Sequence, residues 1–130
     1  GLTATITPIS TSSKILVQAY FSLSSDSAAG GSTGVNVQLV RDGSAIFIGD
    51  TAGNRVRATY GTTFEIRSSD MLAASPIFLD SPATVSPVTY KLQGRNGSGG
   101  NLFINRPGID TDISWQNRNA SSITLMEIAG

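Results

Sequence analysis

Between Ser13 and Leu23 the apolar residues fall on alternate positions. Ile15, Val17, Ala19, Phe21 and Leu23 share one face of this run, and Leu16, Gln18, Tyr20 and Ser22 share the other. A period of two belongs to an extended chain, whose side chains point to opposite faces in turn. The run therefore reads as a long strand with one face in a core. Composition supports the same state for the rest of the chain. With 14 Gly, many Ser and Thr, and little Glu or Lys, the sequence disfavours helices and favours strands joined by turns.

Shorter runs repeat the pattern along the chain. Thr3 to Thr7 alternates and stops at Pro8, as an edge strand or an arm over residues 1–12 preceding a single domain at 13–130. Residues 24–34, SSDSAAGGSTG, read as a polar loop. Val35, Val37 and Leu39 then share a face, and Asp42-Gly43 signals a tight hairpin into Ala45–Ile48. Weaker strands are expected at 54–60 and 62–67 around Gly61, and at 71–79, where Pro76 marks an edge or bulge. Residues 80–87 form a Pro-containing loop, and Val88, Tyr90 and Leu92 alternate with Thr89, Lys91 and Gln93. A hairpin turn is expected at 94–101 before Leu102–Ile104, a loop at 106–113, a short strand at 114–118 and a turn at 119–121. Short strands at roughly 8–12-residue spacing, without a helix, indicate an antiparallel β-sandwich or barrel.

The last segment, Ser122 to Ile128, differs from the others because both its faces are apolar. Ile123 and Leu125 point one way, and Thr124, Met126 and Ile128 the other. The final strand of a small antiparallel domain ordinarily keeps one wet face. Apolar residues on both faces call for a core on one side and another subunit on the other. Glu127 shares the core face, so it is expected at the rim or against an Arg.

Several chemistries are excluded by what the chain lacks. It contains no Cys and no His, so a disulfide scaffold, a thiol nucleophile, a Cys-based zinc site and a Ser-His-Asp centre are all absent. Nine basic and nine acidic residues cancel without runs of like charge, which argues against nucleic acid or anionic membrane as partner. No apolar stretch approaches the ~20 residues of a membrane-spanning helix. Gly1-Leu2-Thr3, with no initiating Met and no signal-peptide pattern, reads as the start of a trimmed chain or excised fragment.

Taken in order, Thr11 to Val17, Leu39 to Gly43, Leu79 to Pro82, Thr89 to Leu92, Asn105-Arg106 and Ser121 to Glu127 resemble the C-terminal domains of bacteriophage tail-fibre and related virion proteins, frequent in marine and cyanobacterial phages. The resemblance runs from about Thr3 to the end. It implies an all-β jelly-roll sandwich of the C1q/TNF kind, closed into a homotrimer with the terminal strand near the three-fold axis. The trimer interface then takes Leu16, Tyr20, Thr124, Met126 and Ile128.

Candidate sites each carry two readings. Trp115 with Gln116, Asn117 and Arg118 combines a stacking ring with polar groups, as a sugar site does, or it is partly buried packing. Tyr60, after Arg55 and Arg57, is a second such patch or half of a cross-strand pair. Asp110 and Asp112 have a chelating D-x-D spacing, or they cap turns. Arg41 is placed to pair with Asp80 or Asp112. Asn96-Gly97-Ser98 and Asn119-Ala120-Ser121 match the glycosylation sequon but read as unmodified turns. Among Glu65, Asp70, Asp80 and Glu127 no spacing brings a glycosidase pair together. The expected function is non-enzymatic: a virion protein at a fibre tip, without metal or cofactor, that binds a host-surface glycan or protein and the rest of the fibre. The alternatives are a purely structural trimerisation or capsid-protrusion domain, and a carbohydrate-binding module of a secreted glycan-degrading enzyme.

Overall fold

The computed structural model of the chain describes residues 1–26, 34–62, 69–97 and 99–130. Among the described residues the alternating runs become strands, every pairing is antiparallel and no helix forms. In chain order these are β1 (Thr3–Ile6), β2 (Lys14–Ser25), β3 (Val35–Arg41), β4 (Ser44–Ile46), β5 (Tyr60–Thr62), β6 (Leu72–Ala74), β7 (Ile77–Asp80), β8 (Val88–Asn96), β9 (Leu102–Ile104) and β10 (Ser122–Ile128).

The strands divide into two sheets, each built around one long strand. In the first, β3 has β8 along one edge and β4 and β5 along the other, and β1 extends the sheet beyond β8. In the second, β2 is central. β10 pairs with residues 14–20 and β9 with residues 23–25 on one side, while β7 and β6 divide the opposite edge. The alternation in β2 dictates this arrangement, because its apolar row needs a cover. Ile15, Val17, Phe21 and Leu23 are buried against Val35, Val37 and Leu39 of β3 and Val88 and Tyr90 of β8. Each such aliphatic or aromatic side chain contributes roughly 1.5–3 kcal/mol on burial, enough in sum to hold two sheets face to face.

One polar bridge crosses the core. Arg41, the last residue of β3, donates from Nη1 to both carboxylate oxygens of Asp80 on β7, at 2.9 and 2.8 Å. The hydroxyl of Tyr90, paired with Arg41 across β8, donates to Asp80 Oδ2 at 2.6 Å. Burial, followed by the bond to Asp80, pushes the Tyr90 hydroxyl above its ordinary range, so it stays a donor. The bridge thus links the two sheets at the β3–β4 hairpin. Asp42 (φ 47°) and Gly43 (φ 91°) make that turn with both residues left-handed, the backbone that an Asp-Gly hairpin requires.

Five expectations from sequence need correction. Gly61 is the centre of β5, opposite Asn36, and 54–59 form a loop; residues 63–67 lie outside the described set. The run at 71–79 is broken at Ser75-Pro76, although Ala19 N still donates to Pro76 O at 3.0 Å, so the edge is interrupted without being lost. Residues 94–101 are not a hairpin turn: β8 continues to Asn96 and the chain then crosses to the other sheet, where β9 pairs with β2. Residues 114–118 form no strand. Of the polar loop expected at 24–34, Ser24 and Ser25 belong to β2, and residues 27–33 lie outside the described set. Outside these corrections, Glu127 is half-buried and its Oε1 accepts the backbone N–H of Ile9 at 2.8 Å.

Candidate functional site

The second sheet turns an apolar face outward. Pairing puts Met126 opposite Leu16 and Thr124 opposite Gln18 on one side of β2, and Leu79 and Ile77 opposite the same two residues on the other. With Tyr20 and Ile128 these side chains form a continuous outer patch, and Tyr20, Ile77, Leu79, Met126 and Ile128 are all exposed. Their neighbours Ile123 and Leu125 face inward, against the cluster formed by Ile15, Val17 and Leu39. The faces of β10 therefore lie as the alternation implies. Ile77 and Leu79 belong to the patch because β7 pairs with β2, a juxtaposition that local pattern does not carry.

A second surface is built by the chain between β9 and β10. Its neck is tied to β2. Asn105, in the left-handed region at φ 62°, donates its N–H to Ser22 O at 3.0 Å and accepts Ser121 Oγ at 2.6 Å. Asn119 returns alongside, its N–H donating to Asn105 O at 2.9 Å and its Nδ2 to Ser22 Oγ at 3.0 Å. Ser24 Oγ donates to Arg106 O at 2.8 Å. The Ser24 hydroxyl and the Ser22 carbonyl on β2 thus take up backbone groups that the loop would otherwise leave unpaired.

Within the loop, Gln116 Oε1 accepts both the N–H and the hydroxyl of Thr111, at 2.8 and 3.1 Å. Asp110 is an ion-pair partner of Arg106, at 3.7 Å, and of Arg118. The Arg106 guanidinium also lies 4.0 Å from the centroid of the Phe103 ring. Asp110 is thereby paired with two cations and serves the loop's own electrostatics. Arg118 acts as a strut of the loop rather than a contact placed beside Trp115.

The loop leaves Trp115 64% exposed. It lines a cleft of about 560 Å³ with Gln116, Asn117 and Asn119, and Ser69 and Asp70 supply the facing wall. An aromatic face beside amides, a hydroxyl and a carboxylate is the chemistry that binds a saccharide, stacking on its apolar face while polar groups take its hydroxyls. Sequence reasoning weighed Asp70 only as a glycosidase carboxylate and did not single out Ser69; both precede β6, which pairs with β2.

The remaining candidates disperse. Tyr60 is half-buried, its ring edge-on to Phe21 at 6.0 Å, so it belongs to the core and not to an exposed patch. Asp80 is committed to Arg41 and Tyr90, and Glu127 to Ile9. These two acids flank Ile15 in register, about two strand spacings or roughly 9.5 Å apart, with the buried Ile15 between them. Glu65 lies outside the described residues. Asn96 donates its amide to Ser25 Oγ at 2.7 Å.

No family model matches the chain, and no curated protein matches it in sequence. The fold and its surfaces define an all-β antiparallel sandwich with one apolar outer sheet face and a tryptophan cleft.

Proposed function

We propose that this chain is a non-enzymatic virion domain, the trimeric jelly-roll tip of a phage tail fibre that binds a host-surface glycan. The observation that carries the binding half is Trp115, exposed beside Asn117, Asn119 and Asp70 on a loop whose neck is hydrogen-bonded to β2. A ring held on a fixed frame loses little conformational freedom when a sugar stacks on it. The assembly half is supported by the outer patch of Leu16, Tyr20, Met126 and Ile128, extended by Ile77 and Leu79, and by the resemblance of the ordered segments to tail-fibre C-terminal domains. Thr124 sits within that patch. Three copies of a weak site on one rigid tip raise the effective affinity by orders of magnitude without a new contact.

The test is binding of the isolated domain to bacterial surface polysaccharides on an array, together with inhibition of phage adsorption to the bound host. Native protein is expected to retain at least one polysaccharide, and Trp115→Ala to lose it with unchanged folding. Retention that is indifferent to Trp115→Ala would refute the cleft. A second reading, a purely structural trimerisation or capsid-protrusion domain, draws on the apolar patch alone. It is favoured if the native domain assembles but binds no polysaccharide.

A further inference from the structure

We propose that the outer face of the first sheet is a separate binding site for an acidic polysaccharide, in which Arg55, Arg57 and Arg95 hold its carboxylate or sulfate groups. The floor of the site is set by register. Asn36 on β3 lies between Arg95 on β8 and Gly61 on β5, on the face opposite the buried Val35 and Val37. A Cβ at Gly61 would stand 3.0 Å from Asn36 Oδ1, so the glycine keeps this floor low. The loop before β5 supplies the wall and is fixed at several points. Gln38 Nε2 donates to Arg57 O at 2.6 Å, Arg57 Nε to Gly49 O at 2.6 Å, and Gly49 N to Ala58 O at 3.2 Å. At the other end Gly97 N donates to Gly34 O at 2.6 Å. Together these segments border a groove of about 630 Å³.

The charge in this groove is unbalanced. The whole chain has nine cationic and nine acidic side chains, yet among the described residues three arginines line this one groove with a single acid, Asp50. Among the described residues none of the three arginines is in an ion pair, whereas Arg41, Arg106 and Arg118 all are. An oxyanion in the groove would accept charge-assisted hydrogen bonds from these guanidinium groups, which have no carboxylate partner among the described residues. Guanidinium groups suit this role because their planar fork matches a carboxylate or sulfate in two bonds at once.

A saccharide anion fits better than a nucleic acid. Among the described residues no aromatic side chain lines the groove, so they offer no platform for base stacking. Its volume falls in the range of small-ligand sites, and a neutral chain lacks the extended cationic track that a phosphate backbone needs. The site shares no residue with the Trp115 cleft, so each stands or falls alone.

The experiment is calorimetric titration of the full chain with oligogalacturonate, a heparin-derived oligosaccharide and inorganic phosphate, at about 20 mM and about 150 mM salt. At least one of the two oligosaccharides is expected to bind at low salt and weaken at high salt. Arg55→Gln/Arg95→Gln is expected to raise its Kd at least about tenfold. Both arginines are exposed, and an unchanged melting temperature of the double variant separates loss of binding from loss of fold. The carboxylate and sulfate arms identify which acid group is held. The proposal is overturned if neither oligosaccharide binds, if binding is indifferent to the double variant, or if phosphate alone binds. It is equally overturned if single-stranded DNA of matching charge competes as well as the sugar.

Discussion

Asp80→Ala isolates the polar bridge between the sheets. In the folded chain Asp80 is 6% exposed and accepts three hydrogen bonds, two from Arg41 Nη1 and one from the Tyr90 hydroxyl. Removing one partner of a fully buried charge pair costs about 3–5 kcal/mol, chiefly because the other charge is stranded. Arg41 is not fully buried; its side chain is 31% exposed, so water recovers part of its solvation. The Tyr90 side chain is fully buried and has no such recourse, which leaves about 1–3 kcal/mol for its unpaired hydroxyl. The two parts give a loss of about 2–4 kcal/mol. For a chain of 130 residues this lowers the melting temperature by about 6–14 °C. Tyr90→Phe, which deletes only one donor, should cost about 1–2 kcal/mol. Urea melts of native, Asp80→Ala and Tyr90→Phe proteins measure all three. If Asp80→Ala lies within about 0.5 kcal/mol of native, the bridge contributes nothing and the argument fails.

The same bridge gives a pH dependence. Burial and the bond to Asp80 hold the Tyr90 hydroxyl protonated above the ordinary 10.0, so the folded state binds more protons than the unfolded state once pH exceeds about 10. Stability from this group is fully present below that pH and declines above it, and melting temperatures should fall more steeply with pH above 10 for native protein than for Tyr90→Phe; parallel slopes would contradict it. On β10 the two faces should respond differently to charge. Leu125→Glu, inward against Ile15 and Val17, should unfold the chain, since an unpaired buried charge costs several kcal/mol. Met126→Glu, 43% exposed on the outer patch, should leave a folded domain and lower its mass in solution; circular dichroism and light scattering together decide. If both variants unfold, the assignment of faces is wrong.

The long strands were legible in sequence because their signal is local. Alternation placed Ile15 to Leu23 and Val35 to Leu39 on buried faces, and Asp42-Gly43 announced its hairpin by residue type alone. The errors lie where partners are remote. Nothing near Gly94–Asn101 says that the chain leaves one sheet for the other, since a turn within a sheet and a crossing between sheets use the same Gly-rich composition. Residues 114–118 form no strand, because the polar groups of Gln116 and Arg118 are taken up within the loop by Thr111 and Asp110. Of the candidate cleft, Trp115 and Asn117 were visible as a stacking ring with an amide, whereas Ser69 and Asp70 arrive through the pairing of β6 with β2. Arg95 joins Arg55 and Arg57 through the same kind of distant register.

The face formed by Leu16, Met126 and Leu79 is central to the account, because an apolar outer sheet surface is explained by neighbours that cover it. Its most direct test is the mass of the native chain in solution by multi-angle light scattering, across a wide range of protein concentration. A homotrimer has a mass of about 40 kDa, three times that of the 13.5 kDa chain. A species that stays at 13.5 kDa up to high concentration would contradict the account.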